Sequence, residues 1–206
     1  MHLAVLGASG HGKVVADAAE LLGWGSVTFF DDAWPTLKNN GPWAVDGDTT
    51  WLLDRITDFD GVIVAIGSNH IRAEKQKHLG DAGAKLATIV HPSAVISSHA
   101  SLGEGVVVFG NAVVNACAVV GAGAIVNTGA VIEHDCIVGE FAHVSPNAAL
   151  AGGVNLGREA WVGACASVRQ LLTVGTGAVV GMGSVVTRNV PPGATVMGNP
   201  AKTLSP

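Results

Sequence analysis

A six-residue period dominates the second half of this 206-residue chain. From Val90 to Val186 every sixth residue is a branched aliphatic, seventeen positions in a row, and the residue two places before it, from Ala94 to Ser184, is alanine in eleven of sixteen cases. Neither the 3.6-residue turn of an α-helix nor the two-residue alternation of a strand requires a period of six, whereas a coil of three short flat strands does. The repeat therefore predicts a stacked β-coil with large and small side chains alternating in a narrow core.

The residues between the aliphatic positions favour this coil over a sandwich of valine-rich strands. A sandwich would need longer polar turns between its strands, whereas each hexapeptide here has room for one strand and one corner. Gly, Asn and Asp recur near the corners, where unusual backbone angles are needed. The Pro191-Pro192 pair and the residues after it are expected to close the coil.

The first 85 residues have no such period, and alternate apolar strand-like runs with helical ones. This alternation predicts a small parallel sheet of the Rossmann type. We predict strands over 3–6, 26–30 and 61–66, helices over 13–22, 50–54 and 71–80, and a loop rich in Pro, Gly and Asn over 33–45. The predicted domains are thus 1–85, which is α/β, and 86–206, which is the coil with its closing segment.

Composition excludes several classes of function. A net charge of −5 with only 11 Lys and Arg argues against a nucleic-acid surface. No run of about 18 residues is purely apolar, so we expect no membrane span, and the N-terminus lacks the basic and cleavage regions of a signal peptide, which predicts a cytoplasmic protein. Three cysteines without ligand-like spacing predict neither a disulfide framework nor a metal site. The loop 7–12, Gly-x-x-Gly-x-Gly, departs from the dinucleotide fingerprint, so NAD is not predicted.

Several short segments occur together with the repeat. They are Gly7-Ala8-Ser9-Gly10-His11-Gly12-Lys13, Asp31-Asp32, Glu133-His134-Asp135-Cys136 and Gly198-Asn199-Pro200-Ala201-Lys202. The combination resembles the sialic-acid and amino-sugar O- and N-acetyltransferases, in particular the bacterial nucleotide-sugar N-acetyltransferases of bacillosamine and related 4-amino-sugar pathways. The resemblance implies a left-handed parallel β-helix that forms a homotrimer, acetyl-coenzyme A between neighbouring subunits, and a nucleotide sugar held by the N-terminal domain.

His134 is the residue we expect to act as general base. An amine that attacks a thioester must lose a proton, and an imidazole with an ordinary pKa of about 6.5 can take it near neutral pH. His134 lies where its side chain should point away from the filled core, and it matches the family's catalytic histidine; the alternative is a solvated corner histidine. Asp135 resembles the family's orienting acid, a role that requires a corner conformation here. Cys136 occupies a small inward position and should be buried and inert, so we expect direct transfer without an acetyl-enzyme.

The resemblance also implies two sets of binding residues. His143 is expected to contact acetyl-coenzyme A near its thioester carbonyl, the alternative being a packed interface histidine. The other implied coenzyme contacts are Asn127, Gly152, Ala164 and Met182. The implied nucleotide-sugar contacts are Ser9, Gly10, His11, Asp31, Asp32 and Gly67. For the two aspartates, the alternative is a turn at the end of a strand. The glycine turn at a helix N-terminus can offer N–H groups to a diphosphate.

Three functions are compatible with these features. The first is transfer of acetyl to the 4-amino group of a nucleotide-linked amino-deoxy sugar. The second is O-acetylation of sialic acid or a polysaccharide, and the third is a non-catalytic β-helix that only trimerises. The N-terminal motif favours the first, without distinguishing a UDP-, dTDP- or GDP-linked acceptor or the configuration of its sugar.

Overall fold

The computed structural model describes residues 1–204, and its contacts divide the chain into two compact units that meet at Pro92 and Ser93. Residues 205 and 206 of the predicted closing segment lie outside the described residues. Within residues 1–204, no helix has both the length and the apolar character needed to cross a bilayer. The boundary of functional domains at residue 85 stays a prediction.

The first unit is a five-stranded sheet with helices, as the alternating pattern predicted. The sheet order is β3-β4-β2-β1-β5, and β1 pairs in parallel with both β2 and β5. The strands of this sheet are β1 (His2–Leu6), β2 (Ser26–Phe30), β3 (Asn39–Asn40), β4 (Trp43–Gly47) and β5 (Gly61–Val64). A further strand, β6 (Ile89–Val90), is not part of it. The helices of the unit are α1 (Gly10–Leu21), α2 (Thr49–Asp54) and α3 (Asn69–Asp81), with a 3-10 turn at Ile56–Asp58. Leu3 to Leu6 and Gly61 to Val64 are buried, which is why both read as unbroken apolar runs.

The loop predicted over 33–45 was partly wrong. It contains β3 and β4, which form an antiparallel hairpin with Asn40 opposite Trp43 and Gly41 at a φ of 72° in the turn. β4 then adds to the edge of the sheet beside β2. Its alternation of exposed and buried residues is short, and the Pro-, Gly- and Asn-rich composition around it concealed the strand. Helix α1 also begins earlier than predicted, at Gly10, since the glycine turn forms its first turn.

The second unit is a parallel β-helix of two-residue strands, which confirms the predicted left-handed β-coil. The strands between Val95 and Val168 each pair with the one eighteen residues further on, as Val113 does with Val131 and Val131 with Ala149. The strands are β7 (Val95–Ile96), β8 (Ser101–Leu102), β9 (Val107–Val108), β10 (Val113–Val114), β11 (Val119–Val120), β12 (Ile125–Val126), β13 (Val131–Ile132), β14 (Ile137–Val138), β15 (His143–Val144), β16 (Ala149–Leu150), β17 (Asn155–Leu156), β18 (Trp161–Val162), β19 (Ser167–Val168), β20 (Thr173–Val174), β21 (Val179–Val180), β22 (Val185–Val186), β23 (Thr195–Gly198) and β24 (Ala201–Thr203). The antiparallel hairpin of β23 and β24 lies at the C-terminal end.

Three sheets make the faces of the coil. The first runs from β7 to β22 through β10, β13, β16 and β19, and the second from β8 to β20 through β11, β14 and β17. The third contains β9, β12, β15, β18 and β21, followed by β23 and β24. The branched aliphatics from Val108 to Val186 are at most 1% exposed, and the small positions between them are buried as well. The six-residue period is therefore the inward-facing pattern of this core.

Every corner from Gly105 to Gly183 contains a residue with positive φ at six-residue intervals. A left-handed backbone is easy for glycine and unfavourable for residues with a Cβ. Eight of these corner residues nevertheless have side chains: Asn111, Cys117, Asp135, Phe141, Asn147, Glu159, Cys165 and Leu171. Because the stack imposes the conformation, a side chain at such a corner is presented outward in a defined direction.

Candidate active site

His134 and Asp135 form one such corner, between β13 and β14. Asp135 has a φ of 59°, the corner conformation that a contact between these two neighbours requires. The imidazole Nδ1 of His134 lies 2.7 Å from a carboxylate oxygen of Asp135. Both side chains are about two-thirds exposed, at 63% and 66%. The pair is therefore accessible to a ligand while its internal geometry is held by the stack.

Asp135 makes His134 a stronger base. Its hydrogen bond is the main cause that raises the pKa of His134 above the ordinary value. Desolvation opposes this rise, and the charges of Asp135 and Glu133 add to it. With the Nδ1 proton donated to the carboxylate, the lone pair of the neutral ring lies on Nε2. The histidine can therefore accept a proton at Nε2, and Asp135 stabilises the imidazolium that results.

A cavity of about 250 Å³ opens beside this pair, with a largely apolar lining. It is lined by His134, Asp135, Gly152, Gly153, Gln170 and Leu171. Gly152 lies one coil after His134, and a Cβ there would approach the imidazole Cε1 and Nε2 to 2.6 Å. Gln170 and Leu171 were not predicted from the sequence. The eighteen-residue spacing was the signal for both, because residues 134, 152 and 170 share one corner, as do 135, 153 and 171.

Cys136, the residue next to this pair, lies in the core of the coil. It is buried, and its Sγ lies 3.3 Å from the carbonyl oxygen of Ala151, to which the thiol donates. Burial is the main cause that raises the pKa of the thiol above its ordinary value. The thiolate that a nucleophile needs is therefore disfavoured.

The predicted coenzyme residues divide between two edges of the coil. Gly152 lies on the edge of His134, between the first and second sheets. Ala164 and Met182 lie on another edge, which follows the third sheet, and the amide of Gly183 in this second edge donates to the carbonyl of Ala164 over 2.8 Å. Met182 is 78% exposed there. A full face of the coil separates the two edges, so the structure does not bring these residues together within one chain.

His143 and Asn127 belong to that second edge. His143 is on β15 in the third sheet, and Asn127 directly follows β12. The Nε2 of His143 lies 3.1 Å from the amide nitrogen of Asn127. The ring also stacks on Trp161, with centroids 5.9 Å apart and planes within 6°. Trp161 was not predicted from the sequence, although the spacing of eighteen residues places it beside His143.

The glycine turn of the first unit is held by close backbone approach. A Cβ on Gly12 would lie 2.3 Å from the carbonyl oxygen of Gly7, so this glycine is required by packing. Gly10 and Gly67 have no atoms within 4 Å of where a Cβ would be, so both border open space. Ser9 is the N-cap of α1, and its carbonyl accepts a hydrogen bond from the Asn40 side chain at 3.1 Å. The turn is thus closely packed at Gly12 and open at Gly10.

Asp31 and Asp32 both have partners within the first unit. Asp31 accepts the backbone N–H of Ala8 at 2.7 Å, which ties the glycine turn to the end of β2. Asp32 accepts hydrogen bonds from the amide and hydroxyl of Thr49 and from Lys75 at 2.6 Å. Burial alone would raise the pKa of Asp32, but these donors outweigh it and lower the pKa to about 2. Both aspartates therefore organise the backbone and side chains at the end of β2, where the family resemblance predicts nucleotide-sugar contacts.

Two ionisable residues, His11 in this turn and Arg72 in α3, interact through the Arg72 charge. Burial, with a contribution from the Arg72 charge, lowers the pKa of His11 to about 4, so its ring is neutral near pH 7. Arg72 is buried in α3 and donates to the carbonyls of Ile66 and Gly67 at 2.8 and 3.3 Å and to the Asn69 side chain at 2.9 Å. Arg72 was not predicted from the sequence, because the residues of α3 have the polar pattern of a surface helix. Its role in shaping the 66–69 loop depends on tertiary contacts.

Among residues 1–204, no three His, Cys, Asp or Glu side chains lie together in a way that could hold a metal ion.

Comparison with known proteins identifies the family. Residues 2–79 match the model of the PglD N-terminal domain. The whole chain matches two solved structures of the acetyltransferase domain of PglB from Neisseria gonorrhoeae, one free and one in complex with acetyl coenzyme A. This chain is 42% identical to that domain, and the match covers 98% of this chain. It covers 99% of the free structure, with a TM-score of 0.93. The chain belongs to the hexapeptide-repeat nucleotide-sugar N-acetyltransferases.

Two further members of this N-acetyltransferase family show the extent of the similarity. Perosamine N-acetyltransferase from Caulobacter crescentus, solved as a mutant in complex with CoA and GDP-perosamine, is 36% identical, with all of this chain and 98% of that one covered and a TM-score of 0.96. UDP-N-acetylbacillosamine N-acetyltransferase of Bacillus subtilis is 35% identical over 112 residues, which are 52% of this chain. That match spans about half the length, 50%, of this curated relative.

Proposed function

We propose that this protein transfers the acetyl group of acetyl-coenzyme A to the 4-amino group of a nucleotide-linked amino-deoxy sugar. The observation that carries the proposal is the His134–Asp135 pair, with its 2.7 Å contact at the mouth of an apolar cavity. The relatives that match the whole chain support it, since their structures contain acetyl coenzyme A, or CoA with GDP-perosamine.

The transfer proceeds by direct attack. The amine lone pair forms a bond to the thioester carbonyl carbon, and His134 Nε2 takes the proton that leaves nitrogen. The C–S bond of the tetrahedral intermediate then breaks, and the coenzyme thiolate leaves and is protonated. Asp135 stabilises the imidazolium while His134 holds the proton. The buried, hydrogen-bonded thiol of Cys136 supports a mechanism without an acetyl-enzyme.

A homotrimer would complete the coenzyme site. His134 and Gly152 lie on one edge of the coil, whereas Asn127, His143, Ala164 and Met182 lie along another. Acetyl-coenzyme A would lie between the two sets in a groove between two copies, where the His134 edge of one faces the His143 edge of the next. The 78% exposure of Met182 and 80% exposure of Leu171 in a single chain support a partner on each edge.

The first unit would bind the nucleotide sugar. Ser9, Gly10 and His11 begin α1, whose N–H groups and dipole favour a diphosphate. Gly10 and Gly67 border open space, which supports the approach of a ligand to the backbone at both. Asp31 and Asp32 would meet the far end of the nucleotide, with Asp32 already oriented by Thr49 and Lys75.

A thiol-release assay tests the proposal. The purified protein is given acetyl-coenzyme A with UDP-, dTDP- or GDP-linked 4-amino-4,6-dideoxy sugars, and separately with free sialic acid. We expect release with one or more nucleotide sugars and a product heavier by one acetyl group. Thiol release with sialic acid alone would contradict the proposal and indicate O-acetylation. Absence of thiol release with every acceptor would favour a non-catalytic trimer.

Two controls accompany this assay. Cys136→Ala retains activity if transfer is direct, whereas loss of activity in a folded Cys136→Ala protein would contradict the mechanism. Light scattering measures the assembly, and a monomer would remove the proposed intersubunit groove.

A further inference from the structure

The side-chain amide of Asn127 has only one orientation that satisfies its neighbours. The backbone N–H of Thr128 donates to Asn127 Oδ1 over 2.8 Å. If the amide were turned over, its NH₂ group would face that N–H, and two donors would oppose each other. Because an N–H group requires an acceptor, the oxygen must face Thr128 and the Nδ2 group must face His143.

This orientation determines which nitrogen of His143 carries the proton. Asn127 Nδ2 is a donor only, and it lies 3.1 Å from His143 Nε2. The Nε2 atom must then accept, so its lone pair is in that bond and the proton of the neutral ring is on Nδ1. The Nδ1–H group is therefore the donor in any hydrogen bond that the ring nitrogens of neutral His143 donate.

Trp161 holds the plane of the same ring. Its indole lies parallel to the imidazole at a centroid distance of 5.9 Å. The indole is itself fixed, because its Nε1–H donates to Ser145 Oγ over 2.7 Å, and Ser145 is buried. With one face on Trp161 and Nε2 on Asn127, the imidazole has a defined plane and a defined proton position.

We propose that Asn127 is a positioning residue, which holds His143 as the tautomer with its proton on Nδ1 so that His143 donates to acetyl-coenzyme A from that atom. This deepens the proposed function and rests on it for the identity of the ligand. It gives Asn127 a different task from the direct coenzyme contact expected from the family. Asn127 acts through His143, and Trp161 supports the same ring.

Nitrogen NMR of the assembled protein measures the tautomer directly. Imidazole ¹⁵N spectra are recorded at pH 8, where an ordinary histidine is neutral, and the His143 signals are assigned by their loss in His143→Gln. We expect a protonated Nδ1 and an unprotonated Nε2. In Asn127→Asp the carboxylate accepts from the ring, so the proton moves to Nε2. In Asn127→Ala the balance shifts toward Nε2–H by roughly fivefold, since one neutral hydrogen bond is lost.

The matched control is Asn155→Asp, the same substitution at an exposed strand position of the same coil. It should leave the His143 spectrum and the KM for acetyl-coenzyme A unchanged. Asn127→Asp should raise that KM by about tenfold with little change in the KM for the nucleotide sugar, because a misplaced donor affects only the coenzyme.

The possible results separate this inference from the proposed function. A proton on Nε2 in the unmodified protein, or an unchanged spectrum in Asn127→Asp, would overturn the inference whatever the activity. A changed tautomer with an unchanged KM for acetyl-coenzyme A would overturn the role toward the coenzyme. If the tautomer is as expected but no nucleotide sugar is acetylated, the proposed function is wrong. The assignment of the His143 proton to Nδ1 then holds, but its proposed role toward acetyl-coenzyme A does not.

Discussion

The two units of this chain place their functional side chains in different ways. In the β-helix, side-chain contacts join residues about one coil apart, as Asn115 with Glu133 and Asn127 with His143 do. In the first unit, Asp31 reaches back 23 residues to Ala8, and Asp32 pairs with Lys75 at a distance of 43 residues. In the repeat, the neighbours of a residue can therefore be predicted from its position in the sequence. In the aperiodic sheet, they depend on the whole fold. The following experiments test this contrast, beginning with the largest expected effect.

The largest effect is expected at His134. This residue occupies a corner of the repeat like many others, and we propose that it is the general base. His134→Ala should lower kcat/KM by about 10²- to 10⁴-fold, since it removes the general base. It should leave the thermal unfolding temperature nearly unchanged, because the side chain is 63% exposed. His99→Ala, at another exposed corner, is the control for both measurements. Activity equal to that of the control would make His134 a solvated corner residue.

The second test asks whether the period really separates core from surface. Leu150 is fully buried at the large position of the repeat, and Leu150→Ala should lower the free energy of unfolding by about 2–5 kcal/mol. Ile137 is 51% exposed one residue away from such a position, and Ile137→Ala should change it by less than about 1 kcal/mol. Urea unfolding at pH 7 measures both. Similar losses in the two variants would contradict the assignment of inward positions.

The third test concerns the first unit, where burial of a titratable group has no periodic signal. The pKa of His11 falls to about 4 on folding, so between pH 6.5 and 4 the unfolded chain binds the proton more strongly. Stability should therefore fall as the pH falls through this range. His11 alone should contribute about 2 kcal/mol of this loss between pH 7 and pH 4.5.

His11→Gln provides the comparison for this pH dependence. Urea unfolding at pH 7 and pH 4.5 should show a smaller loss in the variant, because the other titrating groups are common to both proteins. An equal loss would mean that His11 is not kept neutral by burial.

The smallest expected effect is a shift in a pH profile. Because Asp135 raises the pKa of His134, the acidic limb of kcat/KM should lie above pH 6.5, with activity increasing as His134 loses its proton. In Asp135→Asn the limb should move to lower pH, since the anionic partner that raises the pKa of His134 is lost. Steady-state rates from pH 5.5 to 9 measure the shift. A profile that does not move would remove Asp135 from the proposed mechanism.

The sequence predicted the second unit more completely than the first. Counting in sixes identified the buried aliphatics and placed Cys136 in the core, and a further step of eighteen would have identified Gln170, Leu171 and Trp161. In the first unit, the sequence predicted the sheet and its principal helices, but it did not predict the β3–β4 hairpin or the burial of Arg72. Short strands with Gly and Pro nearby, and a charged residue inside a polar helix, have no local signal that distinguishes them from loop and surface.

The corner at His134 illustrates which features the sequence determined and which depended on the tertiary structure. The sequence by itself determined that residues 90–186 form a six-residue coil, that Cys136 faces inward and that His134 faces outward, because a period of six admits few arrangements of apolar side chains. Only the tertiary structure decided that Asp135 turns back to bind Nδ1, that Gly152 leaves room for the ring, and that Asn127 lies at Nε2 of His143. Those contacts depend on backbone angles and distances between coils, which the identity of residues does not specify.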